Sequence, residues 1–309
     1  MTDKALGVAG VCLVLASSAC GATSAADRET ALPTADATAI QKLSRQSDLK
    51  QAFAAEVSRG DRHFTNRHDR RELERAIAAY QSATKLNPKD GDVWTKLSRA
   101  TYLLADGFIS FDIDKHDEAK RAYLVTHERG IVYAKRAMMA ISPEFRAAIN
   151  SDAKFEDAVR KLDRSAVPAM YWFCSNYGQW AASKGLLTII KYKEMIKSVM
   201  GYIHTLDPDH FFGGADRYFG AFWTKTIPSD LDKSKSHFEA SLKRAPNYFG
   251  TKVLMASYYA KKAEDRALFE RLLKEVIDGD PNAEPRAKSE NLIAQQKARK
   301  LLSKIDDFF

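Results

Sequence analysis

Histidine and carboxylate side chains could support metal-dependent chemistry here, and two short segments begin motifs of that kind. His127 and Glu128 open the His-Glu-x-x-His pattern of zinc proteases, but the position of the second histidine is Ile131. Asp112 opens a segment similar to a calcium-binding loop, whose sixth position requires glycine and is Asp117 here. Because neither motif is completed, we expect no metal site.

Nucleophile and nucleotide motifs are also missing from the sequence. It contains no Gly-x-Gly-x-x-Gly segment, no P-loop and no Gly-x-Ser-x-Gly elbow. Cys174 has no histidine beside it in sequence and lies among aromatic residues, so we interpret it as a small buried apolar side chain. We therefore expect no catalytic residues, no cofactor and no enzymatic activity.

Aromatic residues are the strongest candidates for binding, and they concentrate in segments 166–180 and 213–223. Tyr171 and Trp172 are neighbours in sequence, so they cannot point to the same side of a helix. Packing between helices and lining of a ligand cavity are both open interpretations. Asp216 and Arg217 lie close enough to add the few polar groups that ligand sites contain.

The elements that must position these residues are helices. From about residue 50 onward, apolar residues recur at steps of three and four, and alternating β-branched runs are absent. Ala76, Tyr80 and Ala83 precede Pro88 at the offsets of the second helix of a tetratricopeptide (TPR) repeat. Small residues at those offsets let two helices approach each other closely.

The same offsets recur before three later prolines, Pro208, Pro246 and Pro281. The sequence therefore predicts an all-α fold in which TPR-like helical hairpins form an α-solenoid bundle over residues 49–309. The final segment, 284–309, is expected to be a charged terminal cap.

The N-terminal segment predicts an export signal and an anchor. Residues 1–19 combine Lys4, an apolar run of about a dozen residues and small residues before a cysteine, as a signal peptide does. The cysteine, Cys20, resembles the lipidated residue of a bacterial lipobox, although Ser17 stands where leucine is usual. An ordinary secretory signal cleaved nearby is the alternative. Residues 20–48 are rich in Ala, Thr, Ser and Asp and predict a flexible tether.

Composition limits the remaining classes of protein. The chain has 309 residues, of which 45% are hydrophobic, which is enough for a large core and argues against general disorder. Its net charge of +8 permits an anionic partner, and export argues against nucleic acid as that partner. We expect the protein on the periplasmic side of a bacterial membrane, with the outer membrane favoured because glycine follows Cys20.

Several segments together resemble one protein family. They are Tyr171-Trp172 through Trp180, Gly213-Gly214 with Arg217 and Gly220, and segments 232–246, 248–259 and 265–276. With the lipobox and helical repeats, they are similar to the T component associated with TRAP transporters, a family of bacterial periplasmic TPR lipoproteins. Segment 112–118 has no counterpart that we can align, so its role stays open.

The resemblance implies self-assembly into a ring with an apolar pore or cleft, and pairing with a periplasmic solute-binding protein. It also implies a hydrophobic ligand, such as a lipid or an organic acid. Gly213 and Gly214 are expected to allow close helix packing or a turn. The ligand-binding candidates that follow from this resemblance are Tyr171, Trp172, Tyr177, Trp180, Asp216, Arg217, Tyr218 and Trp223.

Two other functions compete with a ligand-binding transport accessory. A TPR scaffold lipoprotein for envelope protein assembly would bind protein segments and no small molecule. An enzyme would need Asp216, Arg217 and a nearby histidine in one cleft, and no spacing in the sequence requires that arrangement. The resemblance favours the transport accessory.

Overall fold

The chain folds into a bundle of helices, without strands in the part that the structure describes. The structure is a computed structural model that describes residues 46–113 and 116–309. Its thirteen α-helices, counted over those residues, are α1 (Gln46–Thr65), α2 (Arg70–Leu86), α3 (Gly91–Gly107), α4 (Asp117–Ile141), α5 (Pro143–Asn150), α6 (Phe155–Ala158), α7 (Val167–Lys184), α8 (Leu186–Leu206), α9 (His210–Trp223), α10 (Leu231–Arg244), α11 (Phe249–Leu254), α12 (Arg266–Asp278) and α13 (Lys288–Leu302).

The all-α fold predicted from the sequence is confirmed. The hairpins α1–α2, α3–α4, α9–α10 and α12–α13 each pack as adjacent helices. Every residue at the repeated offsets before the four prolines is buried: Ala76, Tyr80, Ala83, Ile196, Met200, Ile203, Ser234, Phe238, Ser241, Phe269, Leu273 and Val276. The assignment of these hairpins to the TPR type stays a prediction.

Aspartate side chains fix where several of these helices begin. The carboxylate of Asp69 accepts hydrogen bonds from the backbone N–H groups of Arg71 and Glu72 at the start of α2. Asp90 and Asp265 accept in the same way at the starts of α3 and α12. Each carboxylate accepts from N–H groups that have no partner inside the helix, so these N-cap aspartates define where the helices begin.

Buried apolar residues form two clusters. The larger cluster runs from Leu73 in α2 to Ala215 in α9, and the smaller runs from Phe238 in α10 to Ala298 in α13. The cavity described below is lined by members of both, including Met200 from the first and Val253 from the second.

The last long helix differs from the predicted terminal cap. Helix α13 packs on α12, and its Glu290 also forms ion pairs with Arg67, between α1 and α2, and with Arg99 of α3. Lys297, further along the same helix, donates to Asp106 of α3 at 2.6 Å. Charged residues of the predicted cap therefore connect α13 to the segment from Arg67 to Asp106.

Several sequence predictions concern residues that the structure leaves undescribed. The signal peptide (1–19), the lipidation site Cys20 and the tether up to residue 45 lie outside the described residues, as do residues 114 and 115 of the acidic segment. None of the helices that are described has the length and apolar character needed to cross a bilayer.

Candidate functional site

A cavity of ≈ 240 Å³ opens between the two apolar clusters. Helices α3, α7, α8, α9 and α13 contribute to its wall, together with α11 and the π-helical turn Met255–Ala260 that continues it. Most of the lining surface is apolar, as in small-molecule sites. The apolar part of the wall includes Trp172, Ile196, Met200, Phe222, Leu254 and Ile293.

Arg217 is the main buried charge of this cavity, with only 3% of the residue exposed. Its guanidinium donates to the hydroxyl oxygen of Tyr171 at 2.9 Å and lies 4.6 Å from the centre of the Tyr248 ring. Among the described residues, no carboxylate forms an ion pair with it. A cation buried without a counter-charge is costly, so the site has a local electrostatic demand for an anion.

The same guanidinium holds an unusual turn in place at the start of α9. Phe211 and Phe212 have φ angles of 46° and 60°, in the left-handed region that side chains with a Cβ rarely adopt. Arg217 donates to the carbonyl oxygens of both residues, at 3.1 and 3.0 Å. Strain of this kind persists only where surrounding contacts enforce it, and it is typical of functional sites. The turn places the Phe211 ring in the cavity wall.

The glycines of this segment have the roles predicted for them. Gly213 continues the left-handed turn with a φ of 69°. A Cβ atom on Gly214 would lie 2.5 Å from the Tyr171 ring, so only glycine lets α9 approach α7 this closely. The close contact keeps the Tyr171 hydroxyl next to Arg217.

The predicted ligand-binding residues divide into two groups. Tyr171, Trp172, Arg217 and Tyr218 line the cavity. Tyr177 and Trp180 instead pack against each other and against Tyr192, with ring centres 4.9 to 6.0 Å apart. The indole N–H of Trp180 donates to Glu128 at 2.8 Å. Both interpretations of the aromatic segment therefore apply, each to a different part of it.

Asp216 and Trp223 also lie outside the cavity lining. The Asp216 carboxylate interacts with His237 and His204 through one oxygen, at 2.9 and 3.4 Å, and accepts from Arg244 through the other, at 3.1 Å. Burial by itself would raise the pKa of the Asp216 carboxyl, but these partners, His237 first, lower it below its ordinary value. The Trp223 ring packs beside Lys233 at 4.6 Å.

Asp216 and Arg217 therefore face different surroundings. Consecutive helical residues point in different directions, and here the aspartate points to α10 while the arginine points into the cavity. Among the described residues, Asp216 thus lies beside His204 and His237, whereas Arg217 lies in the cavity wall.

Other lining residues were missed by sequence reasoning because they come from distant parts of the chain. Tyr102 and Asp106 belong to α3, whereas Ile293 and Lys297 belong to α13. The tyrosines of segment 248–259 offered a signal, since Tyr248 and Tyr258 both line the cavity. From the sequence, only the family resemblance drew attention to that segment, and it assigned these two tyrosines no role.

Two residues singled out as possible catalytic groups are structural. Cys174 is fully buried, and burial raises the pKa of its thiol, as expected for an inert apolar side chain. His127 is fully buried too; burial lowers its pKa to about 4, and its ring bonds the amide oxygen of Asn176 at 2.9 Å. Among residues 46–113 and 116–309, no group of His, Cys, Asp and Glu side chains could hold a metal ion.

Exposed apolar side chains from two segments, the start of α8 and the loop after α9, adjoin the cavity. We call Leu186, Leu187, Ile190 and Ile227 the lip, since two of their sequence neighbours, Ile189 and Thr226, line the cavity. Leu187 and Ile227 are 84% and 83% exposed. Large apolar side chains that stay exposed beside a cavity are candidates for an interaction site.

Comparison with known proteins agrees with this architecture. Curated proteins include no match to the chain. A family model described as TRAP transporter T-component matches residues 73–309, which hold every lining residue of the cavity. Because the match covers most of the chain, the family indicates that this protein has an accessory role in a TRAP transport system. The chain belongs to the TRAP transporter T-component family.

Proposed function

We propose that this protein is a lipid-anchored periplasmic component of a TRAP transport system that binds an apolar or organic-acid ligand and presents it to a solute-binding protein. The single observation that supports ligand binding is the cavity. It combines apolar walls with Arg217, which is buried and has no ion-pair partner among the described residues. Anchoring through Cys20 and export by residues 1–19 enter the proposal from the sequence. The proposal assigns binding and no catalysis.

The ligand and the assembly can be tested together by native mass spectrometry of the chain with Cys20→Ser, followed by organic extraction. The substitution removes the proposed lipidation site, so that no detergent competes for the cavity. We expect a defined oligomer that carries about one small apolar molecule per chain. An empty monomer would contradict both parts and would favour a protein-binding scaffold.

We place the contact with the solute-binding protein at the lip. An apolar ligand moves between two proteins without crossing water only if the partner covers the mouth of the cavity. The lip adjoins the cavity, and the exposed cations Lys191 and Lys225 flank it, so an acidic rim on the partner would complement it. Two copies of the lip would instead bring lysines together.

A photo-crosslinking amino acid at position 187, in cells of the native organism, tests this contact. We expect adducts with a periplasmic solute-binding protein, identified by mass spectrometry. The same amino acid at Val125, an apolar residue of α4 that is 44% exposed and outside the lip, is the matched control. Adducts at 187 that contain only a second copy of the chain, or no protein, would contradict the placement.

A further inference from the structure

Two tyrosine hydroxyls in the cavity have no hydrogen-bond partner among the described residues. They belong to Tyr102 and Tyr248, and only 7% of Tyr248 is exposed. Burial raises the pKa of both hydroxyls above the ordinary value, so each keeps its proton at neutral pH and is available as a donor. A hydroxyl donor in the wall of an apolar cavity can pair with a ligand, so these groups favour a ligand that brings acceptor oxygens.

The tyrosine hydroxyls surround the one buried cation of the cavity. The charge of Arg217 interacts electrostatically with Tyr171, Tyr248 and Tyr102. The Tyr171 oxygen accepts its bond from Arg217, which leaves the Tyr171 proton free to be donated. Three O–H donors therefore lie in the field of one positive charge.

The carboxylates that line the cavity do not neutralise that charge. Asp106 pairs with Lys297, and Glu290 pairs with both Arg67 and Arg99. A single negative charge from a ligand would balance Arg217. A neutral ligand would leave the guanidinium without a counter-charge.

From this geometry we infer that the cavity binds a carboxylate with an apolar body. The inference rests on the proposed function and names its ligand class. The carboxylate accepts hydrogen bonds from the hydroxyls of Tyr102 and Tyr248 beside Arg217, while the apolar body lies along Ile196, Phe222 and Leu254. Charge-assisted bonds from O–H donors to a carboxylate are among the stronger hydrogen bonds in proteins.

Glycines in the wall leave space for the tyrosine hydroxyls. A Cβ atom at Gly214 would lie 2.9 Å from the Tyr171 hydroxyl, and one at Gly250 would lie 2.9 Å from the Tyr248 hydroxyl. Either added carbon would crowd a hydroxyl and change its position. These two glycines, on α9 and α11, thus shape the part of the cavity that receives the carboxylate.

Calorimetric titration of the full chain carrying Cys20→Ser, with decanoate and with decanol, tests the inference. The two probes share their hydrocarbon chain and differ in the charged head group. We expect decanoate to bind about 10-fold to 100-fold more tightly than decanol. Equal or tighter binding of decanol would overturn the carboxylate inference and leave the apolar-ligand proposal standing. Binding of neither probe would overturn both.

The Tyr248→Phe variant tests which hydroxyl is responsible, because it removes one oxygen and keeps the buried ring. We expect it to weaken decanoate binding about 10-fold or more and to leave decanol binding unchanged. Tyr259→Phe is the matched control: Tyr259 lies on the π-helical turn Met255–Ala260, is half-buried and is outside the cavity lining. Equal losses in the two variants, or an unchanged preference in Tyr248→Phe, would overturn the assignment. Circular dichroism checks that both variants are folded.

Discussion

Replacing Glu290 by alanine is expected to lower the free energy of unfolding by about 3 to 5 kcal/mol, because it leaves two arginines without their shared partner. Glu290 is buried on α13 and accepts from Arg67 at 2.9 Å and from Arg99 at 2.7 Å. Arg67 is itself largely buried, with 11% of its side chain exposed. Removing the carboxylate therefore leaves a desolvated positive charge at the contact between the last helix and the first hairpin.

Chemical denaturation of Glu290→Ala beside Glu270→Ala measures this effect. Glu270 forms an ion pair with Lys274 on the surface of α12, with 41% of the Glu270 side chain exposed. An exposed pair of this kind contributes little to stability, so the control separates burial from the mere loss of a carboxylate. Equal losses in the two variants would refute the role assigned to Glu290.

The contribution of Glu290 also has a defined dependence on pH. Burial by itself raises the pKa of this carboxyl. The two arginines, Arg99 and Arg67, together lower it by more, so the pKa in the folded state lies below the ordinary value of 4.5. Stability from a carboxylate whose pKa is depressed by folding is present above its unfolded pKa and is lost as pH falls through its folded pKa. The difference between the parent chain and Glu290→Ala should therefore shrink below about pH 4.

The second large effect is expected from Gly178→Trp, which should block the cavity without unfolding the protein. Gly178 lies on α7 in the cavity wall, and a Cβ atom there would meet no atom within 4 Å. Replacing a helical glycine also removes an unfavourable residue from the helix. An indole at this position would exclude ligand surface equivalent to about four CH₂ groups, at about 0.8 kcal/mol each, or about 100-fold in affinity.

Titration with the neutral fluorescent probe N-phenyl-1-naphthylamine measures this block independently of the head group of the ligand. Gly201→Trp is the matched control, since Gly201 is also helical, has no atom within 4 Å of its added Cβ and lies outside the cavity lining. We expect the control to bind the probe like the parent chain. Unchanged binding in Gly178→Trp would show that the probe site, and hence the apolar ligand site, lies elsewhere.

The sequence by itself determined the helical architecture of this protein. The period of apolar residues and the offsets before four prolines predict which side of each helix is buried, and all the residues at those offsets are buried. That prediction succeeds because helix geometry relates residues only three or four positions apart. Sequence reasoning likewise predicted close helix packing or a turn at Gly213 and a buried apolar side chain at Cys174; the structure shows a turn at Gly213 and a buried Cys174.

Local patterns could not divide the aromatic residues between core and cavity. Trp172 and Trp180 lie on the same helix, yet one lines the cavity and the other packs against Tyr192. Both environments are apolar, so hydrophobicity and spacing do not distinguish them. Only the positions of the neighbouring helices show which side of α7 faces empty space.

The tertiary structure decided the site itself. Tyr102, Arg217 and Tyr248 come from three helical segments far apart in sequence, and Glu290 joins Arg67 across 223 positions. Such convergence depends on how the helices cross and on the contact between α13 and the Arg67 segment. Side-chain packing determines both, and a local sequence period does not encode them. For that reason the family resemblance pointed to segments that reach the cavity, whereas the arrangement of the tyrosine hydroxyls around the buried Arg217 became visible only in three dimensions.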